Sequence, residues 1–323
     1  MTDIANVRLG RSNLEVPNIC FGSGPLGDLP NSYRYSVSEE RALETVRAIF
    51  SGPAPFIDTS RNYGFGRSED RIGKVIRELG GLPEGAIIST KLDRELDTHR
   101  FDASVVRRSL EETLEALAID HVQLLHLHDP EYAESLDQVT GPEGSLCELF
   151  KMKEEGLADA VGLAAGAVDV MMPIIREWDF DAILCHNRFM LTNRNAEAMM
   201  DLAVDRGMAF LNAAPYAGGT LAKGSEACEI YVYQDATEEV LEPVRRIEDI
   251  CARNGIPLGA AALQFSMRDP RVASTVVGIS KPERVQETLD WAAWPITEEV
   301  WQELLALPYT TDDPEAARVQ VLG

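Results

Sequence analysis

From residue 17 onward, short runs of apolar residues alternate with longer stretches in which apolar positions recur every third or fourth residue. The short runs are PNICFG (17–22), APFIDT (54–59), GAIISTK (85–91), HVQLLHLH (121–128), LADAVGLA (157–164), FDAILCH (180–186), MAFLNAA (208–214) and ASTVVGI (273–279). Most are β-branched or otherwise apolar with little alternation, the pattern of strands covered on both faces. The stretches between them read as helices. SEERALETVRAIF opens on Ser38, with Arg41 where a glutamate would complete a capping box, and carries a stripe of Leu43, Val46 and Ile49. DASVVRRSLEETLEALAI sets Val105, Leu110, Leu114 and Leu117 on one face. Eight strand–helix units joined by right-handed crossovers predict an α/β chain folded as a single (β/α)8 barrel over residues 1–323.

Segments outside the repeat add to this picture. VRLGRSNLEVP, ahead of the first strand, reads as a β-hairpin turning at Arg11 to Asn13 that plugs the bottom of the barrel. Long insertions follow the fourth strand (129–145) and the seventh (215–236), and a tail runs from Leu307 to Gly323. Loops of this length at the C-terminal rim usually bind something.

Composition narrows the function. With 323 residues, 45% of them hydrophobic, the chain has core enough for one large domain. Its apolar runs are too short to cross a bilayer and MTDIANVRLG lacks a signal core, so a cytoplasmic protein is expected. The five cysteines, at 20, 147, 185, 228 and 251, form no CxxC pair; they read as buried small side chains, with neither a disulfide framework nor a metal site. A formal charge of -23 disfavours nucleic acid or an anionic membrane as partner, and any phosphate-bearing ligand needs a local positive pocket. A small molecule is the expected partner.

Four polar residues stand where predicted strands give way to polar loops: Asp58 and Tyr63 in FIDTSRNYGFGRSE, Lys91 in IISTKL and His128 in HVQLLHLHDP. Each alone has an ordinary structural reading, but successive strand ends of a barrel bring all four to one rim. There Tyr63 is the candidate general acid. A phenol near pKa ~10 needs a cation to act near neutrality; Lys91 supplies one and is expected to lower the phenol's pKa, with Asp58 holding the lysine charged. His128 donates a hydrogen bond to a substrate oxygen. His126 competes for that role but lies two residues deeper on the same face. Two rival readings use the same residues: a Schiff-base aldolase with Lys91 as nucleophile, and a cofactor-binding regulatory subunit.

VRLGRSNLEVPNICFGSGPLG, FIDTSRNYGFGRSEDRIG, STKL, LLHLHDP, NAAPYAGGTLAKG and VVGISKPERVQETL together resemble the aldo-keto reductase superfamily across nearly the whole chain. The resemblance implies that Asp58, Tyr63, Lys91 and His128 form an Asp-Tyr-Lys-His tetrad, with Tyr63 and His128 touching substrate, and that a nicotinamide nucleotide is the cofactor. Gly22, Ser23 and Asp58 match contacts to it after the first strands; Ser280, Lys281, Pro282, Glu283 and Arg284 match the stretch that grips its adenosine end. Arg284 as a bidentate partner for a 2′-phosphate leans the choice to NADP(H) over NAD(H). Several positions depart from the usual pattern. Leu163-Ala164-Ala165-Gly166 stands for Ser-Asn, Cys185-His186-Asn187 for the usual Gln, and Ala213 for the stacking aromatic, leaving His186 or Asn187 to replace the carboxamide contact. NAAPYAGGTLA is similar to the branch of aldose 1-dehydrogenases and pyridoxal 4-dehydrogenase, which implies a sugar, polyol or other carbonyl substrate. Tyr33, Arg34 and Tyr35, with Tyr216, Tyr231 and Tyr233, lie in or near the rim loops, where they either meet a sugar ring or pack the loops onto the barrel.

Overall fold

A computed structural model describes residues 4–316. The hairpin strands are β1 (Asn6–Arg8) and β2 (Glu15–Pro17), and the barrel begins with β3 (Ile19–Gly22), β4 (Phe56–Asp58), β5 (Ile87–Leu92) and β6 (Val122–His128). It continues through β7 (Ala158–Ala165), β8 (Ala182–His186) and β9 (Ala209–Ala213); β10 (Ile230–Tyr231) and β11 (Gln234–Asp235) form a separate ribbon, and β12 (Val272–Gly278) closes the ring against β3. The eight barrel strands are all parallel, in the order β12-β3-β4-β5-β6-β7-β8-β9.

Strand parity sorts the side chains. Cys20, Phe56, Leu124, Ala160, Leu184, Leu211 and Val276 fill the interior, while Phe21, Ile57 and Ile88 point outward into the layer that holds Val46, Ile49, Ile72 and Val75 of the helices. Each fully buried aliphatic side chain there contributes about 1.5–3 kcal/mol. Leu9 and Val16 of the hairpin join the interior cluster, so the hairpin closes the bottom as expected. Gly10 makes that fit possible: its φ is +53°, and a Cβ would collide with the Asp181 carbonyl.

The two helices read most clearly from sequence form as Glu39–Phe50, with Ser38 accepting from the Arg41 amide, and Ala103–Leu117, with Asp102 accepting from Ser104 and Val105. Their buried faces are rotated slightly from the expected stripes. Leu43 and Leu114 are only partly buried, because the inward rows run through Ala42, Thr45, Val46 and Ile49, and through Val106, Leu110, Thr113 and Leu117. Two long helices rather than one follow the insertion between β9 and β12: amphipathic Glu238–Arg253, and Leu258–Met267, which is buried over most of its length. Another, Glu298–Leu305, precedes the tail, which is described to Ala316; the rest of the expected tail lies outside the described residues. No described helix is long and apolar enough to cross a membrane. All five cysteines are free, but Cys147 and Cys228 are only half-buried, since both lie at the edges of surface elements.

Glu69 fastens the outer wall behind the rim. It is fully buried on helix Arg67–Leu79 and accepts hydrogen bonds from Thr90 (2.7 Å) and Thr113 (3.1 Å). Burial lifts its carboxyl to about 7, against smaller lowering effects of Thr90 and Arg61. The folded state therefore holds a proton that the unfolded chain releases near 4.5. Stability is full below that value and falls as pH rises through about 7, by up to about 3 kcal/mol. Glu69→Gln is expected to flatten that dependence, read as melting temperature against pH between 5 and 8.

Candidate active site

Parallel register builds the site. Ser89 and Lys91 share the inward parity of β5; Ser89 pairs with Asp58 of β4 and Lys91 with His126 of β6, which places Asp58, Lys91, His126 and His128 inside the C-terminal half of the barrel. Lys91, 1% exposed, donates from Nζ to Asp58 Oδ1 at 2.6 Å and to the Thr59 carbonyl at 2.6 Å, and Ser89 Oγ donates to Asp58 Oδ2 at 2.8 Å. The turn after β4 swings Tyr63 over this pair, with the Lys91 ammonium 4.8 Å from its ring centroid. Phe65 and Gly64 hold the turn at positive φ; a Cβ on Gly64 would collide with the Gly27 carbonyl. The Tyr63 and His128 rings meet edge to face, 5.9 Å apart. All four predicted residues thus line one pocket.

The electrostatics differ from expectation in one respect. Burial, then the carboxylates of Asp58 and Asp129, push the Tyr63 phenol well above its ordinary value rather than below it. Burial is the largest cause, because the ring is enclosed away from solvent, and the Asp58, Asp129 and Asp93 carboxylates add to it. Such a phenol is held protonated and ready to donate. Burial alone would lower His128, yet Asp129 and Asp93 outweigh it and hold the imidazole above its usual range. His126, fully buried with both ring nitrogens lacking a hydrogen-bond partner, is driven well below it by burial, Lys91 and His128. His128, not His126, faces the pocket, and His126 fits only because Gly162 opposite has no Cβ.

The pocket runs from Tyr63 and His128 past Gly22, Ala213 and Ser280 to Arg284 and Trp291. His186 also lines it, whereas Ser23, Asn187 and Lys281 do not. Ser23 is buried, donating to the Asp58 carbonyl at 2.9 Å and accepting from Ser68 at 2.8 Å, so it braces the strand ends. Lys281 is exposed, and Glu283 pairs with Arg41 on the surface. Asn187, at φ 62°, turns its amide to Glu315 (3.0 Å). Glu315 also meets His186 Nε2 at 3.2 Å and the buried Arg188, which reaches Asp313 at 2.5 Å. Bonds from Asn193, Arg194 and Asn195 to the backbone at 310–312 clamp this C-terminal strap beside the pocket. Tyr33, Tyr35, Tyr216 and Tyr233 face the pocket as well, while Tyr231 is bonded to Thr192 (2.8 Å) and Arg34 pairs with Asp235 (3.1 Å).

Sequence reading missed Asp93, whose Oδ1 lies 2.6 Å from His128 Nδ1. A signal was present: Ser89, Lys91 and Asp93 share one parity. For Glu315 and Arg188 there was none. Among the described residues no cluster of side chains could hold a metal ion.

The model of the aldo/keto reductase family matches residues 18–307. The chain belongs to this family. It is 28% identical to pyridoxal 4-dehydrogenase of Microbacterium luteolum, over 92% of this chain and 95% of that one. It is 29% identical to L-galactose dehydrogenase of Arabidopsis thaliana (90% and 88% covered) and 27% identical to D-threo-aldose 1-dehydrogenase of a Pseudomonas species (91% and 94%). These are the relatives that NAAPYAGGTLA pointed to. The barrel superposes on the holo form of the aldo-keto reductase AKR11C1 from Bacillus halodurans with a TM-score of 0.78 at 18% identity, covering 98% and 100% of the chains. As a member of the family with dehydrogenase relatives, the chain is an oxidoreductase acting on carbonyl or CH–OH groups.

Proposed function

We propose that the protein moves a hydride between a nicotinamide nucleotide and a carbonyl, a polyol or a sugar hemiacetal, with Tyr63 as general acid/base and His128 as donor to the same oxygen. The observation that carries this is the pocket itself, which joins the Tyr63–His128–Lys91–Asp58 group to an end with a guanidinium, Arg284, and an indole, Trp291. An extended nucleotide would be held at its adenosine end by Arg284 and Trp291, with Gly22 leaving room for it beside the backbone and His186 available to the carboxamide. When bound, the nicotinamide ring supplies or accepts the hydride. In reduction Tyr63 gives its proton to the substrate oxygen; in oxidation it takes that proton back, with Lys91 providing positive charge beside the ring.

The tyrosine faces of the wall suit a sugar or a planar ring, in keeping with the relatives' names. The aldolase reading is disfavoured because Lys91 Nζ is engaged by Asp58 and the Thr59 carbonyl rather than offered to a carbonyl carbon. The size of the pocket suits an enzyme acting on small molecules. Adding NAD or NADP should quench intrinsic fluorescence, Trp291 included, and a panel of sugars, polyols and aromatic aldehydes should change absorbance at the nicotinamide band. No quenching by either nucleotide at millimolar concentration refutes the reading.

For the cofactor, Arg284 favours NADP(H). A second reading, NAD(H), has its own support, because Arg284 is already paired with Glu287 at 2.5 Å and a 2′-phosphate must compete with that carboxylate. If Arg284 serves the phosphate, Arg284→Ala weakens NADP much more than NAD, the difference being about 1.5–3 kcal/mol for a lost charged hydrogen bond. Equal losses for both nucleotides remove Arg284 from that role.

A further inference from the structure

Asp93 lies just past the end of β5, 4% exposed, and both of its carboxylate oxygens meet donors. Oδ2 accepts from Ser60 Oγ at 2.7 Å and from the Asn62 amide at 3.0 Å; Oδ1 lies 2.6 Å from His128 Nδ1. Ser60 and Asn62 belong to the turn that carries Tyr63, so one carboxylate ties together the two groups nearest the reacting oxygen.

We propose that Asp93 is a positioning residue for proton delivery, pinning Nδ1–H of His128 so that the ring offers Nε2–H to the reacting oxygen as a charged donor beside Tyr63. This rests on the oxidoreductase reading above. Counting donors and acceptors around the carboxylate fixes the tautomer. A carboxylate met by the Asn62 amide and the Ser60 hydroxyl serves as acceptor, so its partner at 2.6 Å must be a donor, which fixes the proton on Nδ1. Nε2 is then left on the side of the pocket that His128 and Asp129 both line, 3.7 Å from Asp129 Oδ1. The charged groups facing the ring are Asp93 from the end of β5, Asp129 from the following loop and Lys91 from β5, with Tyr63 against its edge and His126 below it on β6. The two carboxylates favour the imidazolium and Lys91 opposes it. His128 so charged strengthens the hydrogen bond to an oxygen that gains negative charge during reduction.

A purely structural Asp93 would only anchor the Tyr63 turn to β5. Histidine 15N spectra of the full chain separate the two roles, with His128 assigned from the spectrum of His128→Gln. The wild type is expected to keep Nδ1 protonated at every pH tested and to lose the second proton above the ordinary histidine value of about 6.5. Asn in place of Asp93 cannot accept from all three donors. In Asp93→Asn the His128 titration should fall by about one unit or more, and reductive kcat by on the order of 10²-fold with nucleotide Kd unchanged. Its reductive pH profile should break at a correspondingly lower pH than that of the wild type. An Nε2–H tautomer in the wild type, or an unchanged His128 titration in a folded Asp93→Asn, overturns the proposal. The tautomer is read on the wild type, so an unfolded variant does not shelter the idea. Should the wild type turn over no carbonyl, polyol or sugar, the oxidoreductase reading falls, while the spectra still decide whether Asp93 pins His128.

Discussion

Tyr63→Phe should abolish turnover while leaving the nucleotide bound. The substitution removes one oxygen from a ring whose packing against His128 and Lys91 is otherwise kept. Positioned proton transfer is worth roughly 10²–10⁴ in rate, and a loss of at least ~10³ in kcat is expected because the same hydroxyl serves both directions. Dissociation constants for NAD and NADP should stay near wild type. The Tyr63 part of the pH dependence follows from the raised phenol: the protonated form that reduction uses persists into alkaline solution, so the decline of reduction there is set by loss of the His128 proton, whereas oxidation climbs with pH as the phenol ionises. Near-normal turnover by Tyr63→Phe with the best substrate found would remove Tyr63 as acid/base and make His128 the next candidate.

Lys91→Met is expected to damage both stability and turnover, by separable routes. Lys91 and Asp58 are 1% and 3% exposed, so methionine strands a buried carboxylate whose remaining partner is Ser89. Breaking such a pair costs about 3–5 kcal/mol. Adding Asp58→Asn removes the stranded charge and should recover most of the melting temperature. Turnover should not return, because the positive charge beside Tyr63 is still missing and oxidation depends on it most. If the double variant regained turnover along with stability, Lys91 would be a structural residue alone, and the acid/base assignment would have to stand without it.

Much of this architecture was legible in one dimension. Eight apolar runs gave strand positions correct to within a few residues, and the polar residues ending the second, third and fourth runs turned out to share one rim. Strand parity has a period of two, so a residue at a strand end on the inward side reaches the barrel mouth whatever its distant neighbours are. The extra helix between β9 and β12 was not legible, since Leu258–Met267 is buried and carries little amphipathic signal for a periodicity reading to detect.

The sequence by itself determined the barrel, the bottom plug and the gathering of Asp58, Tyr63, Lys91 and His128 at one rim, because these follow from local periodicity, turn residues and strand ends. Only the tertiary structure decided the electrostatic surroundings of these four. Asp93 meets His128 across adjacent strands, Glu315 comes from far along the chain to brace His186 and Arg188, and Arg284 is paired with Glu287. The direction of the Tyr63 shift is a sum over burial and over carboxylates from separate elements. Electrostatic interactions depend on distance through space and on burial, neither of which spacing along the chain records.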